Sequence, residues 1–163
     1  MAQANERGIL SDCVIGQNLS QREKFWDLRE AISDIMSTLG PIVNFDIGLP
    51  LTVMDSFAQK TQQALSTQFQ SSKSLFFGHL GDGNLHIIVS TGQKKDAYKI
   101  ESIIFGLTRE MGGTITAEHG IGTIKRDWLS YSRSPQEIDL MGQLKRMMDP
   151  ANILNPGRVI TDM

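Results

Sequence analysis

Three histidines, His79, His86 and His119, fall in two short glycine-rich segments, GHLGDGNLH and TAEHGIG. Core filling would not favour that clustering; imidazoles beside flexible backbone suit metal binding and proton transfer. His79 ends one predicted strand and His86 opens the next, seven positions later. A hairpin with Gly81-Asp82-Gly83 at its tip would bring the two rings across from each other. Imidazole plus carboxylate suits zinc, manganese or iron better than calcium, with zinc the first choice, and Glu118 is the candidate third ligand. Two histidines and one carboxylate leave a coordination position open, the mark of a catalytic rather than a structural metal. Spacing alone leaves a second reading open, a hairpin whose histidines are partly exposed and merely hydrogen-bonded.

The neighbours sort by type. Asp82, between two glycines, reads as turn chemistry. Asn84 either bonds within the site or closes the turn. Successive side chains point in different directions, so Glu118 can bind a metal while His119 serves as a general base. Gly120 and Gly122 let backbone approach a bound group closely. Neither segment is a dinucleotide or phosphate loop, since GxGxxG after a strand and GxxxxGK[ST] are both missing. Arg29 lies on the flank of a helical apolar stripe, where it either faces solvent or clamps a carboxylate. Lys125 has the same two readings. Trp26, Trp128 and most of the eight methionines read as packing residues.

These residues need elements to position them. Helical spacing of Phe25, Leu28, Ile32, Ile35, Met36 and Leu39 predicts a first helix, with Ser20 and Glu23 as its capping box and Gly40-Pro41 as its stop. A strand follows between Pro41 and Pro50, then a helix over Met54–Phe69. Strands over Leu75–His79 and Leu85–Ser90 flank the GDG turn. A third helix runs from Tyr98 to Met111. The order β-α-β-β-α resembles a ferredoxin-like unit, and Gly113–Thr116 is the candidate for its closing strand. Residues 120–130 read as loop or irregular helix. Ser134, Pro135 and Glu137 start a last helix lined by Ile138, Met141, Leu144 and Met148. The expected fold is α+β, a ferredoxin-like cap domain with an antiparallel sheet plus a C-terminal helical segment. The expected divisions are a leading segment 1–19, a cap domain 20–130, and a helix with its tail over 131–163.

Composition narrows the class. With 163 residues, 40% hydrophobic, 21% charged and a net charge of -2, the chain has neither a disordered nor a nucleic-acid-binding profile. No apolar run reaches the roughly 20 residues of a membrane span. Cys13 is the single cysteine, which rules out an intrachain disulfide or a cysteine metal cluster. A cytoplasmic setting is expected.

The stretches FWDLREAI, FDIGLPL, GHLGDGNLH, GGTITAEHGIG and DPANILNPG resemble the C-terminal half of FAD-linked oxidases, the group of D-lactate dehydrogenases, the glycolate oxidase D-subunit and D-2-hydroxyglutarate dehydrogenase. The resemblance implies that His79, His86 and Glu118 hold a divalent metal and His119 takes the substrate hydroxyl proton. It also implies that Arg29 grips the substrate carboxylate and Lys125 is a basic residue near the site. Asn155, in the LNPG turn, belongs to a segment that returns to the flavin; Asn84 and Gly120 are the other expected cofactor contacts. The implied reaction oxidises a small D-2-hydroxy acid to a 2-oxo acid with FAD, a separate acceptor reoxidising the flavin.

Three departures qualify the resemblance. Where relatives acting on hydroxy-dicarboxylates carry a pattern like KYDVSLP, this chain has NFDIGLP, with Asn44 in place of the lysine. Many also have asparagine two residues after the second metal histidine, where Ile88 stands here. Both changes remove polar contacts and point away from 2-hydroxyglutarate, toward a smaller or more apolar acid. Third, the family's FAD-binding domain takes about 200 residues, and only 24 precede Phe25. The chain alone is therefore expected to lack tight FAD binding and activity, with the flavin domain as its partner and exposed apolar surface favouring a homodimer. The competing expectations are a non-catalytic metal- or carboxylate-binding module and a protein-interaction domain.

Overall fold

The computed structural model describes residues 2–79 and 81–161. They form two compact units, Met1–Thr38 and Leu39–Met163.

The first unit is helical: α1 (Ala2–Glu6), α2 (Leu19–Glu30) and α3 (Ile32–Thr38). The single helix expected from Ser20 onward is two, parted at Ala31. Its cap is Asn18, not Ser20: the Asn18 side chain accepts the backbone N–H of Gln21 at 3.0 Å. Asparagine is a better cap than serine is an interior residue, so it wins the position. The expected inward stripe is not buried either. None of the residues of α2 or α3 is buried, and Phe25, Trp26, Leu28 and Ile35 are all exposed.

The second unit is α+β, a small antiparallel sheet flanked by helices, with a C-terminal helical segment. Its elements are β1 (Val43–Gly48), α4 (Met54–Gln68), β2 (Lys73–His79), β3 (Asn84–Ser90), α5 (Ala97–Glu110) and α6 (Pro135–Met148). The strand order is β1-β3-β2, all antiparallel. Gly113–Thr116, expected as a fourth strand, contributes a single bridge. Gly48 and Thr114 exchange both backbone hydrogen bonds, at 3.0 and 2.8 Å, on the open side of β1. Pairing ends there because residues 115–119 curl over a carboxylate on β1.

Strand periodicity separates the two faces. Phe45, Ile47, Leu85, Ile87 and Val89 point one way and form the core with Phe57 and Leu65 of α4 and Ile100, Ile104 and Phe105 of α5. Trp128, in a 3-10 turn over Arg126–Tyr131, seals this core against Tyr98, Phe105 and Tyr131, with ring centroids 5.2–5.4 Å away. Met54 and Met111 pack against this core as expected of them, but none of the described methionines is fully buried; the branched and aromatic side chains fill the interior. Helix α6 begins as its sequence says, with Ser134 and Glu137 forming the reciprocal capping box. Its apolar stripe, though, is largely uncovered: Leu144 and Met148 are exposed and only Gly142 is buried.

Candidate metal centre

The opposite face of the sheet holds the polar residues. Register places Asp46 of β1 and Phe77 of β2 on either side of His86 of β3, and His79 opposite Asn84. Both glycine-rich segments hang from the end of β1. The Leu49 N–H donates to the Gly83 carbonyl at 2.9 Å, while Gly48 holds Thr114. Gly83 has φ +75°, and a Cβ there would stand 2.5 Å from the Leu49 oxygen, so the turn accepts only glycine.

This arrangement brings His79, His86 and Glu118 together. One ligand atom from each lies within 4.8 Å of the others. His79 Nδ1 is 3.1 Å from Glu118 Oε1, and His86 Nε2 is 3.7 Å from Glu118 Oε2. The His79 and His86 rings meet edge to face with centroids 5.5 Å apart. His86 is nearly buried, whereas His79 and Glu118 are about half exposed, so the cluster opens to one side. Two neutral imidazoles and a carboxylate are a donor set that fits a divalent transition metal.

Asp46, which sequence reasoning passed over, organises the loop. It is fully buried, and its Oδ2 accepts the backbone N–H groups of His119 (2.8 Å), Glu118 (2.9 Å) and Ala117 (3.1 Å), with the Thr116 hydroxyl at 3.2 Å. Burial alone would push its carboxyl up; the three backbone N–H groups outweigh it and hold the group below the ordinary carboxylate value. The signal was present in FDIGLPL, where period two sets Asp46 on the face opposite Phe45 and Ile47. A charge in mid-strand is too costly to bury without donors.

His119 presents an exposed ring that stacks on His86 at 5.7 Å, with its Nδ1 3.9 Å from Asp46 Oδ2. Burial lowers the His86 pKa against the opposing pull of Asp46 and Glu118, which favours the neutral imidazole a metal requires. Asp46, His86 and His119 also approach closely enough to hold an ion. Asp46 Oδ2 is already committed to three backbone N–H groups and the residue is closed to solvent, so the His79–His86–Glu118 set is the better candidate.

Lys125 is nearly buried beneath the loop. Its ammonium donates to the Ile115 carbonyl at 3.0 Å and reaches the Asp46 carbonyl at 3.5 Å. Burial lowers its pKa, partly offset by the Asp46 charge. In this position it braces the loop against β1. Of the two readings open for Asn84, the structure shows the turn closure. Its N–H closes the turn on Asp82 Oδ1 at 3.1 Å. Its buried side-chain amide faces the site with neither polar atom hydrogen-bonded among the described residues. Gly120 takes φ +74°, and its carbonyl accepts the Thr116 hydroxyl at 3.1 Å.

Asn155 lies in the exposed tail at φ +50°. That tail is tied to the loop after His119, because the Val159 N–H donates to the Gly122 carbonyl and Arg126 donates to that of Gly157. Arg29 belongs to the helical unit, where its guanidinium pairs with Glu30 at 2.8 Å.

Residues 1–159 match the family described as FAD linked oxidases, C-terminal domain. The chain is 34% identical over 157 residues to the mitochondrial D-2-hydroxyglutarate dehydrogenase of Arabidopsis thaliana, covering 95% of this chain and 28% of that protein. It is 35% identical over 161 residues to the D-2-hydroxyglutarate dehydrogenase of Stutzerimonas stutzeri, covering 94% and 34%. For the mitochondrial enzyme of that name in Bos taurus the identity is 32% over 163 residues, covering 98% and 29%. The chain thus spans about a third or less of the length of these relatives. Among the described residues, no helix is long and apolar enough to cross a membrane.

Proposed function

This chain belongs to the family of FAD-linked oxidase C-terminal domains, and on that premise we propose that it is the metal- and substrate-binding part of a flavin-dependent dehydrogenase that oxidises a D-2-hydroxy acid to a 2-oxo acid. The observation that carries this reading is the convergence of His79, His86 and Glu118 beside an exposed His119.

The reaction class removes a hydride from C2 and a proton from its hydroxyl, leaving a carbonyl. A divalent metal held by His79, His86 and Glu118 would polarise the hydroxyl and grip a carboxylate oxygen, and FAD, held mainly by another part of the protein, would supply the hydride acceptor. His119 is the base. Its Nδ1 side faces the buried Asp46 carboxylate at 3.9 Å, which leaves Nε2 to receive the substrate proton. Arg29 is proposed to orient the substrate carboxylate. Asn84, whose buried amide has no hydrogen-bond partner among the described residues, and Asn155 and Gly120 are the proposed contacts to the cofactor.

The substrate is proposed to be smaller or more apolar than 2-hydroxyglutarate. Asn44 and Ile88, the two departures from the dicarboxylate pattern, are direct cross-strand partners on the face that carries His86. Together they make one local patch poor in positive charge, which suits a second carboxylate badly.

Metal and flavin content of the full-length protein, purified without chelator, tests the site. Stoichiometric zinc, manganese or iron, lost with turnover in His79→Ala, is the expected result. Flavin and full turnover without any divalent metal would sink the assignment. A turnover series of D-2-hydroxy acids tests the substrate; a clear preference for 2-hydroxyglutarate over lactate and longer aliphatic acids overturns that part.

A further inference from the structure

We propose that Asp46 is the positioning residue of this site, setting the ring tautomer of His86 with one oxygen and the loop that bears Glu118 and His119 with the other. The inference rests on the reading that His86 Nε2 takes a metal. The two oxygens have separate surroundings. Oδ2 gathers the N–H groups of three successive residues, Ala117, Glu118 and His119, at 2.8–3.1 Å. Oδ1 is buried with no hydrogen-bond partner among the described residues, and the group facing it is His86 Nδ1, 3.9 Å away.

His86 therefore lies between two carboxylates, Nε2 toward Glu118 at 3.7 Å and Nδ1 toward Asp46. A buried acceptor lacking a donor is unfavourable, and Nδ1–H is the donor at hand. A proton on Nδ1 leaves the Nε2 lone pair free for an ion. Carboxylates placed behind metal-binding histidines in this way fix ring orientation and raise ligand basicity. Asp46 does more than that, since the same carboxylate fixes the backbone of the third ligand and of the proposed base. Its own backbone is locked in β1 between β3 and the Lys125 ammonium. One rigid strand residue thus sets three side chains on two segments distant from it in sequence.

Asp46→Asn separates the two arms. Its amide oxygen can still accept from the loop, while its NH₂ turns a donor toward His86 Nδ1 and disfavours the Nδ1–H form. Asp46→Ala removes both arms, and thermal unfolding reports whether each variant folds. Two readouts on the full-length protein are decisive: the His86 tautomer from ¹⁵N shifts of the metal-free form, and zinc affinity by competition with a chelator. Expected are Nδ1–H in the parent, loss of that preference in Asp46→Asn, and zinc affinity weaker by about 10- to 100-fold in that variant. An Nε2–H ring in the metal-free parent overturns the proposal, as does a folded Asp46→Asn that binds zinc as the parent does. Zinc binding abolished as completely as in His79→Ala also overturns it, because Asp46 would then be a ligand. A parent that binds no divalent metal refutes the metal reading itself, and the tautomer comparison still decides whether Asp46 sets His86.

Discussion

Replacing Gly78 with alanine tests how tightly the hairpin bearing His79 and His86 is built. Gly78 faces Leu85 in the β2–β3 ladder. A methyl group on its Cα would stand 2.2 Å from the Asn84 carbonyl oxygen and 3.1 Å from the Leu85 Cα. Carbon and oxygen in such contacts settle at about 3.3–3.6 Å, so the strands would have to part by about 1 Å. Strands about 4.8 Å apart cannot open that far without losing hydrogen-bond geometry. The obstacle is backbone, which no rotamer change relieves. Overpacking of this kind costs about 1–3 kcal/mol. At about 2–4 °C per kcal/mol for a domain near this size, Tm falls by about 2–12 °C. Gly106→Ala is the control. Gly106 sits inside α5 with nothing within 4 Å of its would-be Cβ, so the same substitution gains about 0.8–1 kcal/mol of helix propensity. Thermal unfolding followed by circular dichroism, with all three proteins at one pH, gives the comparison. A Gly78→Ala protein that melts with the parent, or a Gly106→Ala protein that drops alongside it, refutes the reasoning.

Two further expectations follow from buried polar side chains. Asp149 is buried at the end of α6; it pairs with Lys145 and accepts the N–H groups of Leu154 (2.9 Å) and Ile153 (3.1 Å), and these partners hold its carboxyl below the ordinary value. Its contribution is therefore complete above the unfolded carboxylate pKa of about 3.9 and is lost as pH falls through the lower folded value; Asp149→Asn should flatten the acid limb of the stability curve and speed amide exchange at Ile153 and Leu154, and an unchanged acid limb would contradict the pairing. Asn84→Leu removes two buried polar atoms that lack protein partners among the described residues, so its Tm should hold or rise while turnover falls; a marked drop in Tm with turnover intact would show that the amide serves the fold instead of a ligand.

The local devices of this chain were legible because they act over a few residues. The GDG reversal, the strand that follows it and the Ser134–Glu137 capping box depend on spacing alone, and the structure has them where the spacing puts them. His79 and His86 also meet, with ring centroids 5.5 Å apart, though diagonally and not directly across the hairpin: His79 pairs with Asn84 and His86 with Phe77. Helix boundaries were less legible. Asn18 competed with Ser20 for the cap, and the apolar stripes of α2 and α6 did not translate into burial, because a stripe records only that a surface would be stabilised by cover.

What the sequence determined by itself was the inventory: two strands joined by a glycine turn, three histidines in two flexible segments, and a carboxylate beside the last of them. What only the tertiary structure decided was which groups meet across long separations. Asp46 binds the loop at 117–119 from some seventy positions away, and Lys125 turned inward as a brace when its sequence allowed solvent equally well. Gly113–Thr116 stopped at one bridge. No local pattern encodes these outcomes. They follow from a buried carboxylate that must find donors, and the nearest backbone N–H groups in space belonged to residues distant in the chain.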